Sequence, residues 1–341
     1  MKVLVTGTEG YIGSLLGPAL MQRGFEVVGL DTGFYRDGWL NSNGFSRLPA
    51  CINKDVRQVS ESDLEQFDAV VHLAELSNDP LGQLSPDITS EINHLGSIEL
   101  ARKCKQVGIR RFVYTSSCSV YGVGSDDYKT EESEPNPQTA YAQCKVKVER
   151  DVFRMADSQF SPTFLRNATA FGPSPRMRFD IVLNNLAGLA WTTGEIKLTS
   201  NGSPWRPLVH LLDICEAVAC VLEAPRDVVH NQIINVGDTT QNYRVREIAE
   251  IVSKAFPGCQ STIGTDDRDN RSYRVSFEKI KSILPAFKCS RDAGAGAIQF
   301  RELFERIQMS SEQFQFRAFT RLKQIQHLIQ TGQINHRLFW S

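Results

Sequence analysis

The stretch KVLVTGTEGYIG, residues 2–13, restricts the fold of this chain more than any other segment. A β-branched apolar run enters a turn that carries Gly7, Gly10 and Gly13, and a helical pattern, GSLLGPALMQRG (13–24), follows at once. Gly7 permits the tight turn, Gly10 lets the backbone approach a pyrophosphate, and Gly13 lets the helix pack on the strand. Tyr11 and Ile12 fill the positions between the last two glycines. The helix N-terminus then presents free N–H groups and the positive end of its dipole to phosphate. A second strand, FEVVGLD (25–31), ends on Asp31. A carboxylate there accepts from a ribose 2′-hydroxyl and repels a 2′-phosphate, which favours NAD over NADP.

The first half continues in the same rhythm. Strand patterns at AVVHLA (69–74), RFVYTSS (111–117) and PTFLRNATAFG (162–172) alternate with helical patterns at 97–109 and 139–157. Strands alternating with helices of this length imply a parallel sheet, and right-handed crossovers put helices on both of its faces. The expected class is therefore α/β, a Rossmann-type doubly wound sheet. The second half is more broken. Helices are expected at 181–194, 211–225 and 245–258, with a strand at 232–237 and a loop at 173–180. The expected organisation is a dinucleotide domain over 1–172, with its sheet completed by segments around 205–240. A smaller C-terminal substrate-binding lobe covers 173–295 and a helical tail 296–341. The stretch FQFRAFTRLKQIQHLIQTG (314–332) predicts an amphipathic helix packed on the body, with a membrane-surface or partner-binding helix as the alternative.

Bulk properties exclude several classes. A formal net charge of −1 over 341 residues gives no general pull toward nucleic acid or membrane. No apolar run reaches the roughly 18 residues needed to span a bilayer, and the short apolar start does not read as a signal peptide. The eight cysteines are scattered without CxxC pairs or histidine clusters, so no disulfide frame and no metal site are expected. The expected address is the cytoplasm.

TAYAQCKVK (139–147) places Tyr141 and Lys145 one helical turn apart on one face. Alone, such a pair is ordinary. With the GxxGxxG turn it resembles the extended short-chain dehydrogenase/reductase superfamily, and within it the NAD-dependent nucleotide-sugar epimerases and dehydratases. The resemblance covers residues 1–290 and rests on ordered motifs. It implies that Asp55 and Val56 contact adenine after the third strand. It also implies that Leu73 and Ala74, in HLAEL, pass under the cofactor, and that Asn93 steadies the central helix. TSSCSVYG (115–122) then supplies the catalytic hydroxyl, Ser117, beside Tyr141 and Lys145. A phenol is a poor base near neutrality, and a Lys ammonium beside it favours the phenolate. Such a tyrosine takes a sugar hydroxyl proton as hydride leaves the same carbon.

The same resemblance assigns Arg206 and Arg271 to a nucleotide diphosphate, with His210 and Asp213 as structural companions. Arg176 and Arg178, in GPSPRMRFD, are expected to add phosphate or sugar contacts. Ser119 and Thr169 are expected at the sugar, although Thr169 stands where several relatives carry Asn. The implied partners are a nucleotide-diphosphate sugar and a second copy of the chain, docked through helices near 93–107 and 140–157. Cys118 and Ser119 occupy the positions where 4,6-dehydratases carry an Asp-Glu pair, so that elimination is not expected. Cys118 is expected to pack behind its strand. The remaining readings are an epimerase acting at C4, a 4-keto-sugar reductase or dehydrogenase, and, more remotely, a non-catalytic cofactor sensor.

Overall fold

The computed structural model describes residues 1–42, 47–77, 79–266 and 271–341. Seven strands form the central sheet: β1 (Lys2–Thr6), β2 (Glu26–Asp31), β3 (Ala50–Asn53), β4 (Ala69–His72), β5 (Arg111–Ser117), β6 (Ser161–Asn167) and β7 (Gln232–Val236). Their order is β7-β6-β5-β4-β1-β2-β3, and every pairing is parallel. The order reverses at β1, whose register pairs Val5 with Gly29 on one side and Val71 on the other. In a doubly wound sheet the crevice beyond that reversal is where ligands bind.

The strands are buried on both faces, and side-chain alternation sorts them between two cores. Val3, Val5 and Val71 face one core with Leu15 and Leu16 of α1 (Gly13–Gln22). Leu4, Val70, Phe112 and Tyr114 face the other. There they meet Leu100 of α2 (Ser97–Gln106) and Val148 of α3 (Ala140–Phe153). The helical pattern before α2 is wider than an α-helix, a π-turn over Ser90–Gly96.

The strand pattern at 162–172 divides in two. After Asn167 the chain leaves the central sheet, and Thr169–Phe171 pairs with Trp205–His210 in a separate three-stranded sheet. The second half of the chain adds α4 (Val182–Thr193), α5 (Leu211–Glu223) and α6 (Val245–Ala255) to that sheet. α5 packs against α1 under the sheet rather than in the lobe. Two further parallel pairs, Val123–Lys129 with Ser272–Val275 and Glu195–Ser200 with Gln260–Asp266, had no clear period in the sequence.

The last segment runs through α7 (Ala293–Ile307), then returns to the N-terminal half as α8 (Arg321–Gln330). Ile325, Leu328, Ile334 and Leu338 join the second core. None of the helices among the described residues is long and apolar enough to cross a membrane.

Candidate active site

At the carboxyl ends of the strands lies a cavity of about 480 Å³ that opens on the crevice beside β1. Its walls collect residues that are far apart in sequence. Gly7, Gly10, Tyr11, Ile12 and Gly13 form one end with Asp31, Asp55 and Val56; Leu73 and Ala74 form the floor; Ser117, Tyr141 and Lys145 form the other end. Gly7 has φ +74°, and a Cβ on it would lie 2.9 Å from the Ala74 nitrogen. A Cβ on Gly10 would lie 3.1 Å from the Gly7 oxygen. Neither position has room for a side chain, so the turn closes tightly on itself and on the end of β4.

Asp31 accepts from the Glu9 and Gly33 N–H groups at 2.9 and 2.8 Å. Burial pushes its carboxyl above the ordinary range, and those two N–H donors pull it back. Asp55 caps a short turn at Arg57 N (2.8 Å) and holds the Arg57 guanidinium at 2.7 Å. Tyr11 donates to the Gly172 carbonyl (2.8 Å) and accepts from Asn184 on α4 (2.8 Å), fastening the glycine turn to the second half of the chain. Taken together, the glycine cradle, the Asp31 carboxylate and the half-open floor fit a dinucleotide.

α3 carries the expected Tyr141–Lys145 pair. Thr139 caps it, accepting from Ala142 N at 3.2 Å while donating to Asp79 Oδ1 at 2.6 Å. Farther along, Glu149 is buried against Arg166 of β6 at 2.7 Å and accepts from Ser116 Oγ, which fixes the helix against β5 and β6. Lys145 Nζ lies 5.4 Å from the Tyr141 ring centroid and donates to the Thr115 carbonyl. Its ammonium also pairs with Glu75 Oε2 at 2.7 Å, and Glu75 Oε1 accepts from Tyr114 OH at 2.6 Å. Burial pulls the Lys145 ammonium down, but Glu75, Tyr141 and Glu149 together outweigh it and the group stays above its ordinary value. Burial raises the half-buried Tyr141 phenol; Lys145 opposes that shift, and Glu75 and Asp79 add to it. Glu75 itself is pushed up by burial, with Lys145 and Tyr114 pulling the other way.

A smaller cavity of about 140 Å³ adjoins this end. Ser117, Ser119, Thr169, Arg206 and Arg271 all line it, beside Asp79 and Tyr273. Ser117 Oγ accepts from Ser119 N at 3.1 Å. Among the described residues, Ser119 Oγ and the cavity-lining Asn167 Oδ1 are buried without a hydrogen-bond partner. Arg271 pairs with Asp79 at 2.5 Å, and Arg206 donates to the Trp205 and Arg271 carbonyls.

Two expected site residues lie elsewhere. Asn93 is fully buried, with its amide bonded to Leu76 N (2.8 Å) and Leu76 O (3.0 Å); it holds the exit of β4 and does not line the cavity. Arg176 also stands outside the lining, donating to the Tyr35, Arg36 and Gly38 carbonyls with its guanidinium over Trp39. Arg178 does line the cavity and pairs with Asp180 at 2.9 Å. His210 caps α5 at Leu212 N, and Asp213 anchors Arg291 at 2.7 Å. Cys118 is buried behind β5 with its thiol on the Arg166 carbonyl, and burial pushes that thiol far up.

Sequence reasoning passed over Glu75, Asp79, Asn167, Asp180 and Arg321, all of which line the larger cavity. Glu75 left a signal, a lone acid inside the apolar strand exit HLAEL. Arg321 left none, because it lies far beyond the motifs.

Comparison with known proteins agrees with this geometry. The chain is 27% identical to a UDP-glucose 4-epimerase of Bacillus subtilis over 286 residues, 74% of this chain and 82% of that one. It is 29% identical to a UDP-glucose 4-epimerase of Mycolicibacterium smegmatis over 237 residues, 64% of this chain and 72% of that one. The solved structure of MoeE5 in complex with UDP-glucose and NAD superposes with a TM-score of 0.76 at 26% identity, covering 91% of this chain and 100% of that one. The model of the NAD dependent epimerase/dehydratase family matches residues 3–237, the span that carries the glycine turn, the Tyr-Lys helix and Arg206, and the chain belongs to that family as an NAD-dependent enzyme.

Proposed function

We propose that this enzyme epimerises a nucleotide-diphosphate sugar by removing and returning hydrogen at one carbinol, C4. The observation that carries the reading is the meeting of the two cavities at Ser117, with Tyr141 and Lys145 on the larger one and Arg206 and Arg271 on both. When bound, NAD supplies the acceptor and later the donor of hydride at that carbon. Asp31 would hold the adenosine ribose, and the N–H groups after Gly10 the pyrophosphate. Lys145 would reach the nicotinamide ribose.

Tyr141 takes the C4 hydroxyl proton during oxidation and gives it back during reduction. Lys145 favours the phenolate by its charge, and Ser117 holds the reacting oxygen. Arg206 and Arg271 grip the diphosphate, a role the planar guanidinium suits. Ser119 and Thr169 face the sugar, and Arg178 stands on the cofactor side. The names of the relatives, UDP-glucose 4-epimerases among them, support this reading. The working unit is a homodimer formed through α2 and α3, near which Leu95 and Phe153 are 57% and 44% exposed. All eight cysteines are free, which supports a cytoplasmic setting.

The test is incubation of the purified protein with a panel of UDP-, GDP-, dTDP- and CDP-hexoses without added cofactor, with products separated and weighed. A new isomer of unchanged mass is expected. Turnover only when a 4-keto sugar and reduced cofactor are both supplied would replace epimerisation by ketoreduction.

A further inference from the structure

Arg321 opens α8, far outside the span shared with the family, yet its side chain lines the cofactor cavity. It is 2% exposed, among the largest fully buried side chains in the molecule. Its guanidinium donates to two carbonyls, Ala318 O and Arg176 O, both at the long distance of 3.2 Å, and lies over the Tyr35 ring at 4.1 Å. Among the described residues no carboxylate forms an ion pair with it. The neighbouring Asp180 is paired with Arg178 and meets Arg321 through the main-chain N–H, at 3.3 Å.

Arg178 and Arg321 thus bring two buried cations to one wall with Asp180 between them. One carboxylate shared by two buried guanidiniums leaves an excess of positive charge, which is costly and is offset where an anion arrives. Burial, with the charge of Arg178, pulls the Arg321 guanidinium down to about 10, and Tyr35, Asp180 and Asp31 oppose that shift without cancelling it.

The position selects the anion. Both guanidiniums act on Tyr11 in the glycine turn, at the N-terminus of α1, where this fold places a pyrophosphate. Tyr35 and Asp31, also near Arg321, belong to the cofactor end of the cavity, whereas Arg206 and Arg271 lie at the sugar end.

The C-terminal segment is built to hold Arg321 there. Gln324 donates to Phe34 O at 2.9 Å, and Trp340 donates to Thr32 O at 2.7 Å with its ring 5.7 Å from Phe34. Phe339 stacks on Arg57, the partner of Asp55, at 3.8 Å. The two loops that follow β2 and β3 are therefore both fastened by residues 324–340.

We propose that Arg321 is the counter-cation for the pyrophosphate of NAD, carried into the site by the C-terminal segment. The inference rests on NAD as cofactor and not on the epimerase reading, so failure of the sugar panel leaves it standing. Calorimetry on cofactor-free Arg321→Met protein tests it with four ligands: NAD, ADP-ribose, adenosine and UDP.

NAD and ADP-ribose are each expected to bind at least tenfold more weakly, with adenosine and UDP within twofold of wild type. The cofactor-free variant is expected to melt no lower than wild type, since an unpaired buried cation has been removed. NAD affinity within twofold of wild type, or an equal loss for adenosine, would overturn the assignment. So would a loss confined to UDP, which would make the sugar-nucleotide diphosphate the partner. Should the Met variant not fold, Arg321→Lys keeps the charge and loses the fork. It is expected to weaken NAD and ADP-ribose several-fold with adenosine unchanged, and unchanged NAD affinity there would overturn the assignment equally.

Discussion

Glu75 is the carboxylate that acts most on both Tyr141 and Lys145. Its carboxylate, 2.7 Å from Lys145, offsets the charge that favours Tyr141 phenolate. The charged groups acting on Tyr141 are Lys145, Glu75, Asp79 and Arg178, and Glu75 and Asp79 oppose ionisation. Replacing Glu75 by Gln leaves Lys145 without its anion, so Tyr141 ionises more easily. The rising limb of the kcat–pH profile is expected to move roughly one unit toward lower pH. A move toward higher pH would show instead that Lys145 loses its proton along with its partner, since burial alone pulls an ammonium down. Tyr141→Phe keeps the ring and removes the proposed proton carrier. It should lower kcat by roughly 10²–10⁴-fold while the protein still binds NAD, which paired turnover and cofactor titrations would check.

At the scale of elements, β4 and the strand Trp205–His210 each end on a histidine buried in the neutral form. His72 bonds Thr6 Oγ1 at 2.7 Å and Ser97 Oγ at 2.8 Å, tying β1 and β4 to α2. Burial, and then Lys145, pull its pKa down to about 3; burial pulls His210 down to about 4. Both stay neutral in the fold and take up a proton on unfolding below about pH 6.5. The unfolded chain then binds more protons, so stability falls as pH drops through that value and toward about 4. Each histidine contributes a slope of up to about 1.4 kcal/mol per pH unit. Urea unfolding across that range should show the fall, and His72→Asn should flatten it by about one proton. An unchanged slope would mean that His72 is protonated in the fold.

For the molecule as a whole, the C-terminal segment is part of the main body. Ile325 of α8 is fully buried with Leu4, Val70 and Phe112 in the core on one face of the sheet. Ile325→Ala should therefore destabilise the entire fold by about 2–5 kcal/mol, seen as a single shifted unfolding transition. A separate early transition, with the main one unmoved, would mean that α8 folds apart from the sheet. The amphipathic pattern at 314–332 anticipated one packed helix, whereas the structure breaks the stretch at 316–320 and keeps Arg321–Gln330 as the helix against the core.

The sequence by itself determined the parts whose physics is local. A glycine turn between a strand and a helix, an acid at the next strand end, and Tyr and Lys one turn apart on a capped helix are set by short-range geometry. Each is legible from a short stretch of the chain. The split of 162–172 between two sheets was not legible, because Asn167 and Thr169 belong to one apolar run and only their distant partners, β7 and Trp205–His210, separate them. Nor were the destinations of Asn93 and Arg176, whose side chains turn to backbone groups that tertiary packing brings near. The Glu75–Lys145 pair joins residues 70 positions apart, and Arg321 reaches the cavity that the glycine turn lines from far along the chain. Which charges are buried together depends on long-range packing, and only the tertiary structure decided it.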